Sequence, residues 1–523
     1  MKKAAENRIS GGELISSVYL CLLSVALPLA VHKAYFDITL TKARVFWALS
    51  ILFVAASAIF LIIRLFKEPN TLRSPRPALP DLLFSLFALT HILSSLLFRS
   101  SPALLAPDNR YQGILSFVLY LPVFLSLRRF CRFSSLVRYA LLLGFSLAAL
   151  LGILDIFDLS ILPLRAVSPE IELPRFLSTV GNISFFSALC VLFLPLSAYW
   201  ALSVKEFKAA LPYALCALLA LCGGLAARAE SFLLGALFFF ALIPLFSRDE
   251  LVLRRVPLLW AFSSAAAMLF SLAMTRFALY LPSELTRLIC ASVPMLALSI
   301  LSAAAYLWLR GKNSALVQRV RKGYVIVFWT LAAAALVFLL LANTLWRDAL
   351  SDSPASFAVF SPSWGSDRGA EWVSFWQMFL SSPLSQKLIG SGAGSLADWD
   401  RAHRLFSDAV TDSAHNEYLH YLLTGGLIGC LSYLALIVLA LRRALTCPSR
   451  EKTALALSCA AYALQAFVNI AQPFTTPLFF AFLALLLSDG EDGEKSEAES
   501  ALFWRVALAA LAAALLIAAA TSA

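Results

Sequence analysis

The stretch VFWALSILFVAASAIFLII, residues 45–63, contains nineteen residues and no charge, and Arg64 and Lys67 follow it. A helix that crosses the hydrocarbon core of a bilayer needs about 20 mainly apolar residues. Runs of this kind recur along the whole chain, and we see no ten-residue alternation of the kind that predicts a transmembrane β-barrel. The stretch therefore predicts one of many membrane-spanning helices.

The composition of the 523-residue chain agrees with this prediction. The chain is 60% hydrophobic and only 14% charged, and its mean hydropathy is +0.81. Soluble domains are nearer a quarter charged, so lipid must surround most of this surface. We predict an all-α, polytopic bundle of about fourteen or fifteen spans. The predicted spans are residues 14–32, 45–63, 81–98, 113–127, 139–157, 185–203, 210–226, 230–246, 257–274, 288–309, 324–345, 419–441, 453–470, 474–488 and 502–521.

The net charge of +11 resides mainly in short connections that alternate along the chain, beginning with Lys2 and Lys3. Lys and Arg concentrate on the cytoplasmic side of membrane proteins, which predicts a cytoplasmic N-terminus. No basic stripe with interleaved aromatic residues is present, so we predict no nucleic-acid partner. The nine cysteines lie mostly inside apolar runs without a CxxC pair, which predicts small buried residues and no metal or disulfide role.

One predicted outer connection is much longer than the others, and it divides the chain. We predict helices 1–11 over residues 1–345, a periplasmic loop with interfacial helices over 346–418, further spans over 419–488, and an acidic cytoplasmic segment with a last helix over 489–523. Beyond Trp346 at its start, the loop carries four tryptophans, Trp364, Trp372, Trp376 and Trp399, so we expect it to be folded. Its stretch EWVSFWQMFL, Glu371–Leu380, has the apolar spacing of a surface helix.

Four residues at the predicted outer face are candidates for chemistry. Arg110 lies in DNRYQG, Arg228 in LAARAES, Arg368 in SDRGAEW and His415 in AHNEYLHYLL. Charge at membrane depth is costly and tends to mark function, although an arginine can also extend its side chain to the head groups. Guanidinium groups match phosphate oxygens, and an imidazole can take a proton from a hydroxyl. The four residues therefore predict a phosphate clamp beside a general base.

Three residues after the histidine are predicted to support it, namely Asn416, Glu417 and Tyr418. His420 is a second candidate base, on a different face of the same helix. Gly390, Gly392 and Gly394 lack the lysine of a P-loop and predict a sharp turn. Asp398, Asp400, His403, Asp408, Asp412 and His415 match no metal-ligand spacing, so we predict no metal and no cofactor. Arg228 with Glu230, and Asp367 with Arg368, could equally form local ion pairs.

Several segments, in order, resemble the bacterial O-antigen ligase and polymerase family of membrane glycan transferases. They are NRYQG from Asn109, TVGNIS from Thr179, AARAES from Ala226, RGAEW with the following Pro…Gly-x-Gly turn from Arg368, and AHNEYLHYLLTGGLIG from Ala414. Here Ile183 and Ser184 replace the family's Pro-Asn, and Ala227 and Ala229 flank Arg228. The last two segments, about Arg368–Gly429, carry most of the resemblance.

The resemblance implies a metal-independent glycosyltransferase of the C type in the bacterial inner membrane, with its active site on the periplasmic face. It would take a glycan from an undecaprenyl-pyrophosphate donor and pass it to lipid A core, another glycan or a protein. Within that family, Arg228 and Arg368 would hold the pyrophosphate, Arg110 would assist, and His415 would be the base. We expect an O-antigen ligase. A polymerase, a protein O-oligosaccharyltransferase or, from another class, a lipid-linked solute transporter or flippase are the alternatives.

Overall fold

The computed structural model describes residues 11–67, 78–99, 104–106, 110–167, 175–353, 355–403 and 410–488. Within these ranges the chain is almost entirely helical, with one two-stranded antiparallel hairpin, β1 (Phe176–Leu177) and β2 (Gly181–Asn182). The predicted all-α, polytopic class is confirmed. The predicted acidic segment and last helix lie outside the described residues.

Twenty α-helices occur in the described part of the chain. The first ten are α1 (Gly11–Leu29), α2 (Ile38–Lys67), α3 (Leu79–Phe98), α4 (Ile114–Phe130), α5 (Ser135–Ile156), α6 (Leu164–Val167), α7 (Ile183–Ser203), α8 (Phe207–Ala226), α9 (Glu230–Phe246) and α10 (Glu250–Phe277). The others are α11 (Glu284–Cys290), α12 (Val293–Leu309), α13 (Ser314–Ala342), α14 (Arg347–Ser351), α15 (Trp364–Ser381), α16 (Leu384–Ile389), α17 (Ser395–His403), α18 (Glu417–Thr446), α19 (Arg450–Gln465) and α20 (Thr475–Leu486).

Each of the first fourteen predicted spans contains an observed helix. Nine of the described helices are long and apolar enough to cross a membrane, and the number is ten if α11 and α12, which meet at a 44° bend, form one span. The other four, α4, α9, α19 and α20, have 12 to 17 residues. Three observed helices, α2, α10 and α13, begin well before their predicted spans, because a helix can continue past the charged residues that end an apolar run.

Burial distinguishes the centre of the bundle from its rim. The apolar window of α7 is 94% buried, whereas that of α13 is 6% buried. Nearly every residue of α4, α19 and α20 is also buried. A helix that is apolar on all sides can lie inside a bundle or face lipid. Central helices need not face lipid on any side, which is why α4, α19 and α20 can be short.

The helix that follows the long loop is broken in its first half. Gly426 has φ of +70° inside α18, so the helical hydrogen bonding is interrupted there. The freed carbonyls of Leu423 and Thr424 accept the backbone N–H groups of Ser391, at 2.8 Å, and Gly392, at 3.2 Å. The glycine-rich segment before α17 therefore packs backbone to backbone against the break in α18.

The predicted sharp turn at this segment is confirmed. Gly390, Gly392 and Gly394 have φ of +92°, +82° and +79°, which is the region where a side chain is strained. The turn directs the chain from α16 back across α18 and into α17.

The described part of the long connection between α13 and α18 is folded, as its tryptophans indicate. It contains α14 to α17 and shares a small apolar core with the first turns of α18. That core consists of Phe375, Met378, Leu396, Ala414 and Leu423, all of them at most 5% exposed. The core fixes α15 against the segment that precedes α18, and it thereby positions the residues described next.

Candidate functional site

The first turn of α18 is capped by a side chain. The Oδ1 atom of Asn416 accepts the backbone N–H groups of Tyr418 and Leu419, each at 3.1 Å. This satisfies two donors that have no partner within the helix, and such a cap contributes about 1 kcal/mol. Because His415 directly precedes the cap residue, its backbone position is fixed by the helix start.

His415 is paired with a carboxylate that lies 44 positions earlier in the chain. Its Nδ1 atom lies 2.9 Å from Oε2 of Glu371 on α15. The carboxylate side chain is 10% exposed, whereas the imidazole is 35% exposed. An ionised carboxylate can only accept a hydrogen bond, so Nδ1 is the donor and Nε2 keeps a free lone pair. The carboxylate thus holds the imidazole from its buried side.

Two further contacts fix the segment that carries the histidine. The indole Nε1–H of Trp372 donates to the backbone carbonyl of Ala414 at 2.8 Å. The backbone N–H of His415 donates to the hydroxyl oxygen of Ser413 at 3.3 Å. Trp372 follows Glu371 on α15, so one helix positions both the backbone and the imidazole of His415.

Arg368 lies one helical turn before Glu371 on α15. Among the described residues it has no hydrogen bond and no ion pair within 4 Å, and its nearest charged neighbours are Glu371 and Glu230. Burial lowers the pKa of this guanidinium from its ordinary value, and the two carboxylates act in the opposite direction. A partly buried guanidinium without a partner has donors free for an anion.

Arg228 lies between α8 and α9, two residues before Glu230. Its Nε atom is buried and unpaired among the described residues, and the guanidinium lies over the Tyr280 ring, 5.8 Å from its centroid. Burial lowers its pKa as well. In the described part of the chain no ion pair within 4 Å joins Arg228 to Glu230 or Asp367 to Arg368.

Arg110 approaches the site from the end of the loop before α4. Its Nη2 atom lies 3.4 Å from Asp412, three residues before His415, and its guanidinium lies over the Phe185 ring. Residue 109, the Asn of the predicted NRYQG motif, lies outside the described residues. Arg110 therefore contacts the same segment as His415, but it is already partly neutralised.

Strained backbone recurs at these positions. Arg110, Arg228 and His415 have φ of +52°, +57° and +45°, and Asp367, next to Arg368, has +66°. A residue other than glycine in this region costs of order 1–3 kcal/mol and is found most often at functional sites. The surrounding contacts must hold these four residues in place, which is consistent with a site that requires fixed geometry.

Among the remaining predicted residues, Glu417 and Tyr418 make their contacts away from the imidazole, whereas His420 lies within electrostatic range of His415. Glu417 is 1% exposed and accepts hydrogen bonds from the hydroxyls of Tyr433 and Tyr462. The Tyr418 hydroxyl donates to the carbonyl of Ala463. His420 is 4% exposed and lies inside the bundle. Their contacts anchor α18 against α19, so their support of His415 would be indirect.

The aspartates of the long loop are engaged in contacts of their own. Asp398 pairs with Arg99 and Arg401, and Asp400 accepts the backbone N–H of Thr411 at 2.8 Å. Among the described residues no group of three or more His, Cys, Asp or Glu side chains is arranged to hold a metal ion. Asp408 lies outside those residues.

The sequence did not identify Glu371 as part of the site. Its only sequence signal was its place in the amphipathic stretch Glu371–Leu380, since the partner histidine is far away in the chain. Glu230 was considered only as a neighbour of Arg228. The structure instead places it in the electrostatic environment of Arg368.

The arrangement combines a hydrogen-bonded imidazole with guanidinium groups that have free donors, at the ends of helices in an apolar bundle. The fold and this site define a polytopic, all-α membrane protein that carries a hydrogen-bonded imidazole and an unpaired guanidinium on one folded loop. The model of the O-antigen ligase domain matches residues 277–434, which include Arg368, Glu371 and His415. This match over residues 277–434 supports the resemblance to the O-antigen ligase family.

This family match supports a glycan ligase- or polymerase-type function, a glycosyltransferase-like enzyme and lipid-linked glycan substrates in a bacterial membrane. Arg110 and Arg228 lie outside the matched segment. Comparison with curated proteins gives no match.

Proposed function

We propose that the protein transfers a glycan from an undecaprenyl-pyrophosphate donor to an acceptor hydroxyl, as an O-antigen ligase. Lipid A core is the proposed acceptor, and the site is proposed to face the periplasm of the inner membrane, with the N-terminus in the cytoplasm. The observation that carries this proposal is the 2.9 Å hydrogen bond between His415 and Glu371 beside the unpaired guanidinium of Arg368.

In this proposal His415 is the general base. Its Nε2 atom takes the proton of the acceptor hydroxyl as the hydroxyl oxygen attacks the anomeric carbon of the donor sugar. Glu371 accepts the Nδ1–H, which fixes the tautomer and stabilises the imidazolium that forms. The proton then leaves through the exposed edge of the imidazole.

The arginines stabilise the leaving group. As the new glycosidic bond forms, the bond between the anomeric carbon and the pyrophosphate oxygen breaks, and negative charge builds up on the departing diphosphate. Arg368 and Arg228 supply fixed positive charge with free N–H donors, and Arg110 assists from the edge. These residues account for the proton that is removed and for the negative charge on the departing diphosphate. Metal independence is therefore part of the proposal.

The test is the lipopolysaccharide profile, on a gel, of a deletion strain complemented with the wild-type gene or with His415→Ala. We expect the wild type to restore long-chain glycan on lipid A core. The variant should leave core without glycan and undecaprenyl-linked polymer accumulating, at equal amounts of protein in the membrane.

Other outcomes lead to the alternatives. Core that carries a single repeat unit in the deletion strain would point to a polymerase. An unchanged lipopolysaccharide profile together with loss of a glycoprotein would point to a protein O-oligosaccharyltransferase. Full activity of His415→Ala would overturn the proposed mechanism, and donor translocation without any transferred product would point to a transporter.

A further inference from the structure

A second, polar pocket lies on the same folded loop. It has a volume of about 390 Å³ and lies between the C-terminal ends of α3 and α15 and the helices α16 and α17. Its apolar walls include Met378, Pro383 and the indole of Trp399, and hydroxyl and amide groups lie among them. Ligand sites of this kind combine an apolar wall with a few placed polar groups.

One polar group in this pocket has no partner of its own. The Oγ atom of Ser395 is buried and makes no hydrogen bond with any described residue, and the residue is 5% exposed. A buried hydroxyl without a partner is costly, so a ligand that supplies one is favoured. Beside it the Ser391 hydroxyl donates to Oε1 of Gln386 at 3.3 Å, a long and weak hydrogen bond.

The charges at the pocket neutralise one another. Arg99 forms an ion pair with Asp398, and its Nε–H donates to the carbonyl of Ala393 at 2.9 Å. This leaves a wall of hydroxyls, an amide and a paired cation, which does not select a free anion. The indole of Trp399 is held by a hydrogen bond from its Nε1–H to the Ser374 hydroxyl at 3.1 Å, and the ring of His403 stacks on it. Such a wall suits a neutral ligand with many hydroxyls and an apolar face.

The pocket lies at the C-terminal end of α15, the helix that also carries Glu371. Between the two places Phe375 and Met378 are buried in the apolar core of the loop, so a ligand that reaches both passes over the outside of this core. From Glu371 to Met378 and Ser381 the distance along the axis is about 10–15 Å at 1.5 Å per residue. A short oligosaccharide is long enough to span this distance.

We propose that this pocket is a glycan subsite, which binds a sugar ring remote from the reacting carbon. The proposal rests on the proposed function, because it assigns the pocket to the same transfer reaction. The C–H face of a pyranose would contact the apolar wall at Trp399, and its hydroxyls would meet Ser395, Ser391 and Gln386. The sugar belongs either to the donor glycan or to the acceptor glycan.

The first experiment measures steady-state kinetics of the full chain in proteoliposomes. The donors are the natural polyprenyl-pyrophosphate glycan and the same carrier trimmed to its first sugar. The variants are Ser395→Ala with Gln386→Ala, and Trp399→Ala, and the matched controls are Ser385→Ala and Trp376→Ala, which are exposed and outside the pocket. We expect KM to rise about two- to tenfold for each hydrogen bond removed, with kcat nearly unchanged.

The substrate whose KM rises identifies the source of the sugar. A rise for the full-length donor but not for the single-sugar donor places the donor glycan in the pocket. A rise for the acceptor alone places the acceptor glycan there. An unchanged KM for both the donor and the acceptor would overturn the subsite. An equal rise in donor KM for the full-length and the single-sugar donor would also overturn it.

A direct binding measurement separates this proposal from the proposed function. The probe is the oligosaccharide that mild acid releases from the bacterium's polyprenyl-linked glycan pool, and saturation-transfer difference NMR reports its contact with the solubilised full chain. We expect a signal for the wild type and both controls, and a weaker one for the double serine–glutamine variant. If transfer is absent and this signal persists, the proposed function fails and the pocket stands. No signal for the wild type would overturn the pocket.

Discussion

Oε2 of Glu371 lies 2.9 Å from Nδ1 of His415, and this hydrogen bond joins α15 to the strained residue that precedes α18. The carboxylate is nearly buried and the imidazole is partly exposed. The ring is therefore partly accessible from outside, while its orientation is set from inside the protein.

Replacing Glu371 by Gln should lower kcat at least tenfold, with little change in donor KM. The amide has almost the same shape, but it cannot stabilise an imidazolium as a carboxylate does. The loss should not exceed the roughly 10²- to 10⁴-fold that general-base catalysis contributes as a whole. Steady-state transfer by the purified protein is the measurement.

A structural role alone would give a different result for this variant. Melting curves in detergent should stay close to those of the wild type for Glu371→Gln, and Glu371→Asp should recover part of kcat. Wild-type kcat in Glu371→Gln would remove the carboxylate from the mechanism.

Replacing His415 by Ala should abolish measurable transfer, a loss of about 10²- to 10⁴-fold or more. The variant should still reach the membrane, because Asn416 and not His415 caps α18. His32→Ala is the control, since His32 is an exposed histidine that pairs with Asp37 in another connection. Equal losses in the two variants would show that the effect is not specific to the site.

Replacing Arg368 by Ala should lower kcat/KM about 10- to 100-fold, as expected when a hydrogen bond to a charged group worth about 1.5–3 kcal/mol is lost. Arg368→Lys should recover only part of this loss, because an ammonium lacks the planar fork that matches phosphate. Arg347→Ala, an exposed arginine of the same loop, should retain activity. Competition by inorganic pyrophosphate provides a second measurement, and inhibition should weaken in Arg368→Ala alone.

The fold class could be predicted from the sequence because a helix needs about 20 mainly apolar residues to cross a bilayer. An uncharged run such as residues 45–63 has this length, and all fourteen predicted spans within the described residues contain a helix. The depth of each helix in the bundle was not predictable. Residues 183–203 and 314–342 are both strongly apolar, yet α7 is 94% buried and α13 only 6%.

The candidate site was predictable only where the chemistry is local. Arg368 and His415 could be selected because each lies in a short, distinctive segment of the long loop. Glu371 could not be paired with His415, because the apolar core of Phe375, Met378 and Ala414 brings the two together, and that contact depends on the tertiary fold. The different roles of Asn416 and Glu417 also depend on the tertiary fold. Asn416 caps α18, whereas Glu417 points into the bundle.

The break in α18 gives a prediction about stability. In Gly426→Ala, the new methyl group would collide with the backbone of Leu388 and Gly390, and the φ of +70° would be strained for alanine. Neither neighbour can yield, because the same backbone contacts hold the turn before α17. We expect a loss of at least about 1–3 kcal/mol from the strained backbone alone, seen as a lower Tm in detergent.

Gly323→Ala is the matched control for this substitution. Gly323 lies within α13, and its added methyl group would meet no atom within 4 Å. Alanine is about 1 kcal/mol better than glycine inside a helix, so Tm should stay the same or rise slightly. Gly426→Ala should also reduce transfer, because the turn at Gly390–Gly394 positions the loop that carries Arg368 and Glu371. A Gly426→Ala protein as stable as Gly323→Ala would mean that α18 can straighten without disturbing the loop.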